Sequence, residues 1–226
     1  LITGITGFTG SHLAEHLLRN SENKVFGTIR GRCKQTLFID HIKDKLSLLE
    51  CDITDNNAVY QTIQDAEPDV IYHLAGQTFV PTSWRAPQET FNSNVFGTLN
   101  VLEVMRKSEF DTKILISGSS EEYGLVYPYD IPIKETNQLR PLSPYAVSKV
   151  VQDLLGFQYH KSYGMKIIRT RSFNIMGPRS GEKIVSAAFA KQIAETESGR
   201  RENVIKVGNL DAIRDLNDVR DIVRAY

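Results

Sequence analysis

A doubly wound parallel α/β sheet is the fold class this sequence predicts, and three observations predict it. Short apolar runs alternate with amphipathic segments from the first residue onward, as they do where crossover helices join parallel strands. A glycine-rich turn, "TGITGFTGSHL", sits between the first apolar pair, Leu1 and Ile2, and the first amphipathic segment. Residue types that carry chemistry follow predicted strands, and ligands of such sheets bind outside the carboxyl ends of the strands.

Taken in order, the first strand is the apolar pair ahead of the glycines. Further strands are predicted at "KVFGTI", "LSLLEC", "DVIYHLA", "KILISGS" and "KIIRTRS". Helical patterns occupy 11–20, 56–66, 88–107 and 144–163. After Ser172 the alternation weakens into the loops "NIMGPRSGEK" and "GNLDAIRD", with a helix and a short strand "VIKV" between them. That region, 173–226, reads as the start of a small C-terminal lobe. The stretch "LVYPYDIPIKETNQLRPLSP" is a long loop, a length more often functional than accidental. The chain opens inside a strand without a Met, and "DIVRAY" reads as a helix still in progress, so a longer protein is expected.

Composition narrows the function. The 226 residues are 41 % hydrophobic and 24 % charged, with 27 basic and 27 acidic side chains and a formal net charge of +0. No basic stripe is present to neutralise a phosphate backbone, so nucleic acid is not an expected partner. No apolar run approaches the roughly 20 residues of a membrane helix, and a cytoplasmic protein is expected. Cys33 and Cys51 lack metal-ligand spacing and read as reduced thiols, with no metal site expected.

The glycines Gly4, Gly7 and Gly10 fall where a strand hands over to a helix. There, free N–H groups and the positive end of the helix dipole favour phosphate. The spacing is G-x-x-G-x-x-G, and in isolation it also fits a plain tight turn; its place between strand and helix points to a dinucleotide. Thr6 and Phe8 are the expected contacts beside the glycines. An acid about 20 residues on would read the ribose 2′-hydroxyl of NAD, whereas Arg accommodates the 2′-phosphate of NADP. Here "KVFGTI" leads into Arg30, with Arg32 close behind and no acid between them. NADP is therefore the expected cofactor ahead of NAD, although a solvated Arg is the plainer account of Arg30. Asp52 and Ile53 are expected at the adenine edge, where an acid at a helix start is the alternative for Asp52.

"SPYAVSK" places Tyr145 and Lys149 four apart on one helix face. An ammonium near the phenol favours tyrosinate and makes Tyr145 usable as an acid or base. In "SGSSEEYG", Ser119 would hydrogen-bond either a substrate oxygen or the Tyr145 hydroxyl. Glu121 adds a carboxylate that a redox reaction alone does not require. Such a base could take the proton beside a C4 ketone and return one to a departing C6 hydroxyl, which is dehydration. Capping a loop or facing water is the alternative for Glu121.

Together, the Gly4, Gly7, Gly10 loop, Ser119 and the Tyr145/Lys149 pair resemble the extended short-chain dehydrogenase/reductases, which act on nucleotide sugars with bound NAD(P). Within them, "SGSSEEYG", "SPYAVSK", "RSFNIMGPRSGE" and "GNLDAIRD" most resemble the GDP-mannose 4,6-dehydratases, along essentially the whole chain. The resemblance implies an NADP-binding Rossmann domain at 1–172 carrying the catalytic residues. It implies a partial substrate-binding lobe at 173–226, interleaved with the last Rossmann elements, a GDP-sugar substrate, and homodimers or homotetramers built on the two long helices. By position, Ser119 matches the hydroxyl of the family's Thr-x-Glu pattern, Glu121 its base, and Tyr145 and Lys149 its redox pair. "LAGQT", comprising Leu74, Ala75, Gly76, Gln77 and Thr78, matches the segment lining the cofactor. Asn174, Arg179 and Arg214 match positions that approach the substrate or the cofactor phosphates. Ile175 and Ser180 depart from the family's "FNH" and "PRRG", removing an imidazole and a guanidinium. The competing expectations are a GDP-4-keto-6-deoxy-mannose reductase, a sugar 4-epimerase, and a non-catalytic NADP-binding protein.

Overall fold

The computed structural model describes residues 1–31, 36–182 and 184–226, and the chain divides into two compact units, Leu1–Ser172 and Phe173–Tyr226. Arg32 and Cys33 lie outside the described residues.

In the first unit, six strands, β1 (Ile2–Thr3), β2 (Phe26–Ile29), β3 (Ser47–Glu50), β4 (Val70–His73), β5 (Lys113–Ser117) and β6 (Lys166–Thr170), form one sheet. Their order is β3-β2-β1-β4-β5-β6, and every pairing is parallel. Parallel neighbours need crossovers, and the crossovers are helical: α1 (Phe8–Leu17), α2 (Asn56–Ala66), a run of α3 (Val80–Arg85), α4 (Pro87–Phe91) and α5 (Gly97–Lys107), and α6 (Pro144–Tyr163). The sheet is therefore the doubly wound one that the alternation predicted. Strand order reverses between β1 and β4, the crevice where such sheets take their ligands.

Two helices start and stop where the sequence placed them, because their ends are encoded locally. Asp55 caps α2 by accepting from the N–H groups of Asn57 and Ala58, and Glu67 ends it at φ 38°. Ser143 caps α6 through Ala146 N–H, Pro144 takes the first position, and Gly164 stops it at φ 68°. The core lies between the sheet and these helices. Ile71, Ile114 and Ile116 of the central strands pack with Val59 and Ile63 of α2, Val101, Leu102 and Met105 of α5, and Tyr159 of α6.

Two helices of the first unit differ from the expectation. The helix expected at 88–107 carries a wider π turn at Asn92–Phe96, and the helix expected from residue 11 begins at Phe8, inside the glycine loop. In the second unit, β7 (Asn174–Met176), in a stretch read from the sequence as loop, pairs in parallel with β8 (Leu216–Asp218), just after the loop "GNLDAIRD". The helices there are α7 (Val185–Glu197) and α8 (Val219–Ala225). No strand forms at "VIKV". A strand needs a partner for its backbone, and here the Gln192 side chain takes that place. Its Oε1 accepts from Lys206 N–H at 2.8 Å and its Nε2 donates to the Lys206 carbonyl at 3.0 Å.

Gly10 and Gly164 test what the glycines do. A Cβ on Gly10 would stand 2.4 Å from the Gly4 carbonyl oxygen, whereas one on Gly164 meets nothing within 4 Å and only the left-handed backbone opposes it. Gly10→Ala should cost about 1–3 kcal/mol or more and Gly164→Ala about 1 kcal/mol in denaturant unfolding. Equal losses would remove the packing role of Gly10.

Candidate active site

The glycine loop begins as β1 ends. Gly4 turns with φ 74°, and its missing Cβ would lie 3.0 Å from the Ala75 backbone, so β1 and the segment after β4 meet closely there. Gly10 presses α1 onto the same turn. Gly7 has a different part: it is exposed, and it caps α1 with no side-chain hydrogen bond. The first-turn N–H groups of α1 therefore lack a side-chain acceptor, the arrangement that receives an anion. Thr6 and Phe8 flank this opening, with Phe8 edge-on to His12 at 5.7 Å.

Arg30 is exposed directly after β2. The carboxylate of Asp52, after β3, accepts from the N–H and hydroxyl of Thr54. Those bonds, together with the nearby Arg30 guanidinium, hold Asp52 below the usual carboxylate range. The cap of α2 is Asp55, so Asp52 serves the turn and not the helix. Ile53 is buried, and its carbonyl accepts from Asn100 Nδ2 at 2.9 Å.

Behind the loop runs a buried chain of polar groups that begins at Thr3. The Thr3 hydroxyl accepts from the N–H groups of Leu74 and Ala75, both at 3.1 Å. Its own proton is then directed to His73 Nδ1 at 3.0 Å. The proton of His73 must therefore sit on Nε2, which donates to the Thr98 hydroxyl at 3.0 Å. That hydroxyl also accepts from Gln152 Nε2 and donates to the Asn94 carbonyl at 2.6 Å. Asn94, in the π turn, donates to Ser148 Oγ at 2.9 Å and to the Gln77 carbonyl at 3.0 Å, and accepts from Gln77 N–H at 2.8 Å. Ser148 donates in turn to the Tyr145 carbonyl at 2.6 Å. Burial, reinforced by the Lys149 charge, pushes His73 down to about 3, so it stays neutral at physiological pH.

Of the "LAGQT" residues, Gly76 and Gln77 are thus clamped by Asn94, a Cβ on Gly76 falling 2.8 Å from Asn94 Oδ1. Thr78 is exposed, and Leu74 and Ala75 are half-buried. The Gln77 Oε1 atom is buried and has no partner among the described residues. An orphaned acceptor, an uncapped helix end and a glycine cradle at the strand-order switch together fit a dinucleotide. The residues that could hold it are Gly4, Thr6, Gly7, Phe8 and Gly10, Arg30, and 74–78.

Ser119, Glu121, Tyr145 and Lys149 gather at the carboxyl end of β5. Ser119 opens a single 3₁₀ turn, Ser120–Glu122, and its Oγ accepts from Glu121 N–H at 3.2 Å. Tyr145 and Lys149 are buried on the first turns of α6. Lys149 Nζ lies 5.9 Å from the Tyr145 ring centroid and donates to the Ser117 carbonyl at 2.8 Å. Burial lowers this ammonium to about 8, with the charge of Glu122 acting in the opposite direction. The two consecutive glutamates are unlike: Glu121 is exposed, and Glu122 is fully buried. Ser117, Gly118 and Ser119 pass so close to β6 that a Cβ on Gly118 would stand 2.2 Å from the Thr170 carbonyl oxygen.

In the second unit, Asn174 opens β7 and donates to the Asp215 carbonyl at 3.3 Å. Arg179 has φ 71°, and Arg214 is exposed, its Nη1 donating to the Ile213 carbonyl at 2.8 Å. Ser180 Oγ is buried without a partner among the described residues. Sequence reasoning missed Asn94 and Glu122. A polar Asn inside a helical stretch was the available signal for Asn94, and the π turn that holds it is of the kind found at functional sites.

The model of the GDP-mannose 4,6 dehydratase family matches residues 1–226. A GDP-6-deoxy-D-mannose reductase of Pseudomonas aeruginosa is 32 % identical over 225 residues, covering 100 % of this chain and 68 % of the relative. A GDP-mannose 4,6-dehydratase of Yersinia enterocolitica is 36 % identical over 233 residues, covering 99 % and 62 %. The chain thus spans about two thirds of the length of these relatives. Among solved structures, RMD from Pseudomonas aeruginosa complexed with NADPH superposes with a TM-score of 0.83 at 31 % identity, covering 100 % of this chain and 71 % of that one. UDP-glucose 4-epimerase of Thermus thermophilus in complex with NAD gives 0.85 at 26 % identity, covering 99 % and 70 %.

The Thr98 hydroxyl is the junction of the buried chain, so its removal strands two donors, His73 Nε2 and Gln152 Nε2. Thr98→Val should cost at least about 2 kcal/mol in chemical denaturation, while Thr98→Ser, which keeps the hydroxyl, should cost about 1 kcal/mol. Indistinguishable losses would dissolve the chain as an energetic unit.

Proposed function

The chain belongs to the GDP-mannose 4,6 dehydratase family, and on that footing we propose that it converts GDP-mannose to GDP-4-keto-6-deoxy-mannose with bound NADP. The observation that carries the reading is the unlike environment of the two glutamates. Glu122 is committed to buried partners, which leaves Glu121 exposed beside Ser119 as the carboxylate open to a substrate. The bound cofactor supplies a two-electron acceptor at C4 that is restored at C6, so it undergoes no net change. Tyr145 takes the C4 hydroxyl proton, with the Lys149 ammonium favouring the tyrosinate. Ser119 orients the C4 oxygen. Glu121 removes the C5 proton, made acidic by the C4 ketone, and returns a proton to the departing C6 hydroxyl. Asn174, Arg179 and Arg214 are assigned to the substrate and cofactor phosphates by position in the family.

NADP is proposed over NAD because Arg30 follows β2 with no acid beside it in sequence, and a phosphate there would compete with Asp52 for the guanidinium. A homodimer is proposed on the exposed apolar residues Val147, Leu154 and Phe157 of α6. Among the described residues no helix is long and apolar enough to cross a membrane, and a cytoplasmic site is part of the proposal. A second reading, reduction of a GDP-4-keto-6-deoxy-sugar at the expense of NADPH, is favoured by the reductase relative.

Incubation with GDP-mannose and catalytic NADP should give a product lighter by one water by mass spectrometry, with no net NADPH. Glu121→Gln should lower that turnover at least about a hundredfold and leave cofactor binding intact. Oxidation of NADPH by the 4-keto-6-deoxy sugar, with GDP-mannose untouched, would establish the reductase instead. Arg30→Ala should weaken NADP by about tenfold or more and NAD hardly at all, since a charge-assisted bond to phosphate is worth about 1.5–3 kcal/mol. Equal weakening of both in a binding titration would sink the NADP assignment.

A further inference from the structure

Glu122 has no task in the reaction above, yet it is the most completely enclosed carboxylate near the site. Its Oε1 accepts from Ser119 N–H at 2.8 Å, and its Oε2 accepts from Arg171 Nε at 3.1 Å. The lack of a side chain on Gly118 makes room for it, because a Cβ there would fall 2.4 Å from Glu122 Oε1. The backbone of residues 117–119 is thus gripped at two points. Lys149 holds the Ser117 carbonyl, and Glu122 holds the Ser119 N–H.

We propose that Glu122 is a positioning residue, fixing Ser119 through its backbone N–H and keeping the Lys149 ammonium charged beneath Tyr145. The proposal rests on the reading of Tyr145 and Lys149 as the proton-transfer pair. Glu122 is the carboxylate whose charge supports that of Lys149. Asp153, also buried on α6, is already engaged by Arg171 Nη2 at 3.0 Å and by Arg169. Tyr123 also accepts from Arg171, and neutral His73 faces Lys149. Burial, with Asp153 adding to it, raises Glu122 to about 7, while the Ser119 N–H, Arg171 and Lys149 oppose the rise. Glu122 is therefore anionic above about pH 7, and Lys149 cationic below about pH 8. Between those values both groups are mostly charged. Without the Glu122 charge, the burial of Lys149 is unopposed and the ammonium loses its proton at lower pH.

Glu122→Gln preserves an acceptor for Ser119 N–H and removes the charge. Its alkaline limb of kcat should move down by about one pH unit, a loss of about tenfold at pH 8.5, with KM changed less than about twofold. The 13Cε resonance of Lys149, identified by its loss in Lys149→Arg, should titrate lower by a similar interval. A folded Glu122→Gln protein with both curves unmoved overturns the proposal. Should that variant not fold, the unsubstituted protein decides: Lys149 13Cε is expected to respond near pH 7 and again near pH 8, and one step near the ordinary lysine value of about 10.4 overturns it. Because the NMR titration needs no turnover, failure to dehydrate GDP-mannose would count against the proposed function and leave this inference to its own result.

Discussion

One hydroxyl, that of Thr98, sits where four elements meet, and the site geometry depends on its being saturated. It accepts from His73 of β4 and Gln152 of α6 and donates to Asn94 in the π turn that precedes α5. A hydroxyl has one proton and two lone pairs, so this set is complete. The completeness reaches outward in both directions. Toward β1 it fixes the His73 tautomer and hence the role of Thr3, whose oxygen holds the first two N–H groups of the segment after β4. Toward α6 it sets Asn94, which ties the Gln77 backbone to Ser148 and so to the turn that carries Tyr145. Buried polar groups this connected are costly when broken and directional when whole. The loop that would face a nicotinamide and the helix that carries the phenol are in this way set by one hydrogen-bonded chain.

The fold was legible because its signals are local. Alternation named the strands, and the helical ranges 56–66 and 144–163 match helices whose ends are set by Asp55, Ser143, Pro144 and Gly164. The glycine loop was legible in place but not in division of labour. Gly4 and Gly10 answer to close backbone packing within the protein, and Gly7 alone is left exposed at the helix end. Nothing in a spacing separates those demands, since each arises from what the turn meets across the sheet. Sequence singled out Glu121 and passed over Glu122, whose enclosure comes from Arg171, itself tied to Asp153, 49 and 31 residues after Glu122 respectively. "VIKV" misled because strand propensity is realised only beside a partner, and Gln192 supplied a side chain in its stead.

The cations around the site are sorted by chemistry. Arg169 and Arg171 meet the buried carboxylates of Asp153 and Glu122, and a guanidinium keeps its charge in such surroundings and forms several directed bonds at once. The cation over the Tyr145 ring is a lysine, whose compact ammonium can be brought close to its titration point by burial. Exchanging the types would defeat both tasks. An ammonium in place of Arg171 could not span Glu122, Asp153, Tyr123 and the Glu135 carbonyl together. A guanidinium in place of Lys149 would hold its charge at every working pH and give a neighbouring phenol a fixed field with no adjustment. The permanent charges therefore build the frame, and the adjustable one is the ammonium that lies over the Tyr145 ring.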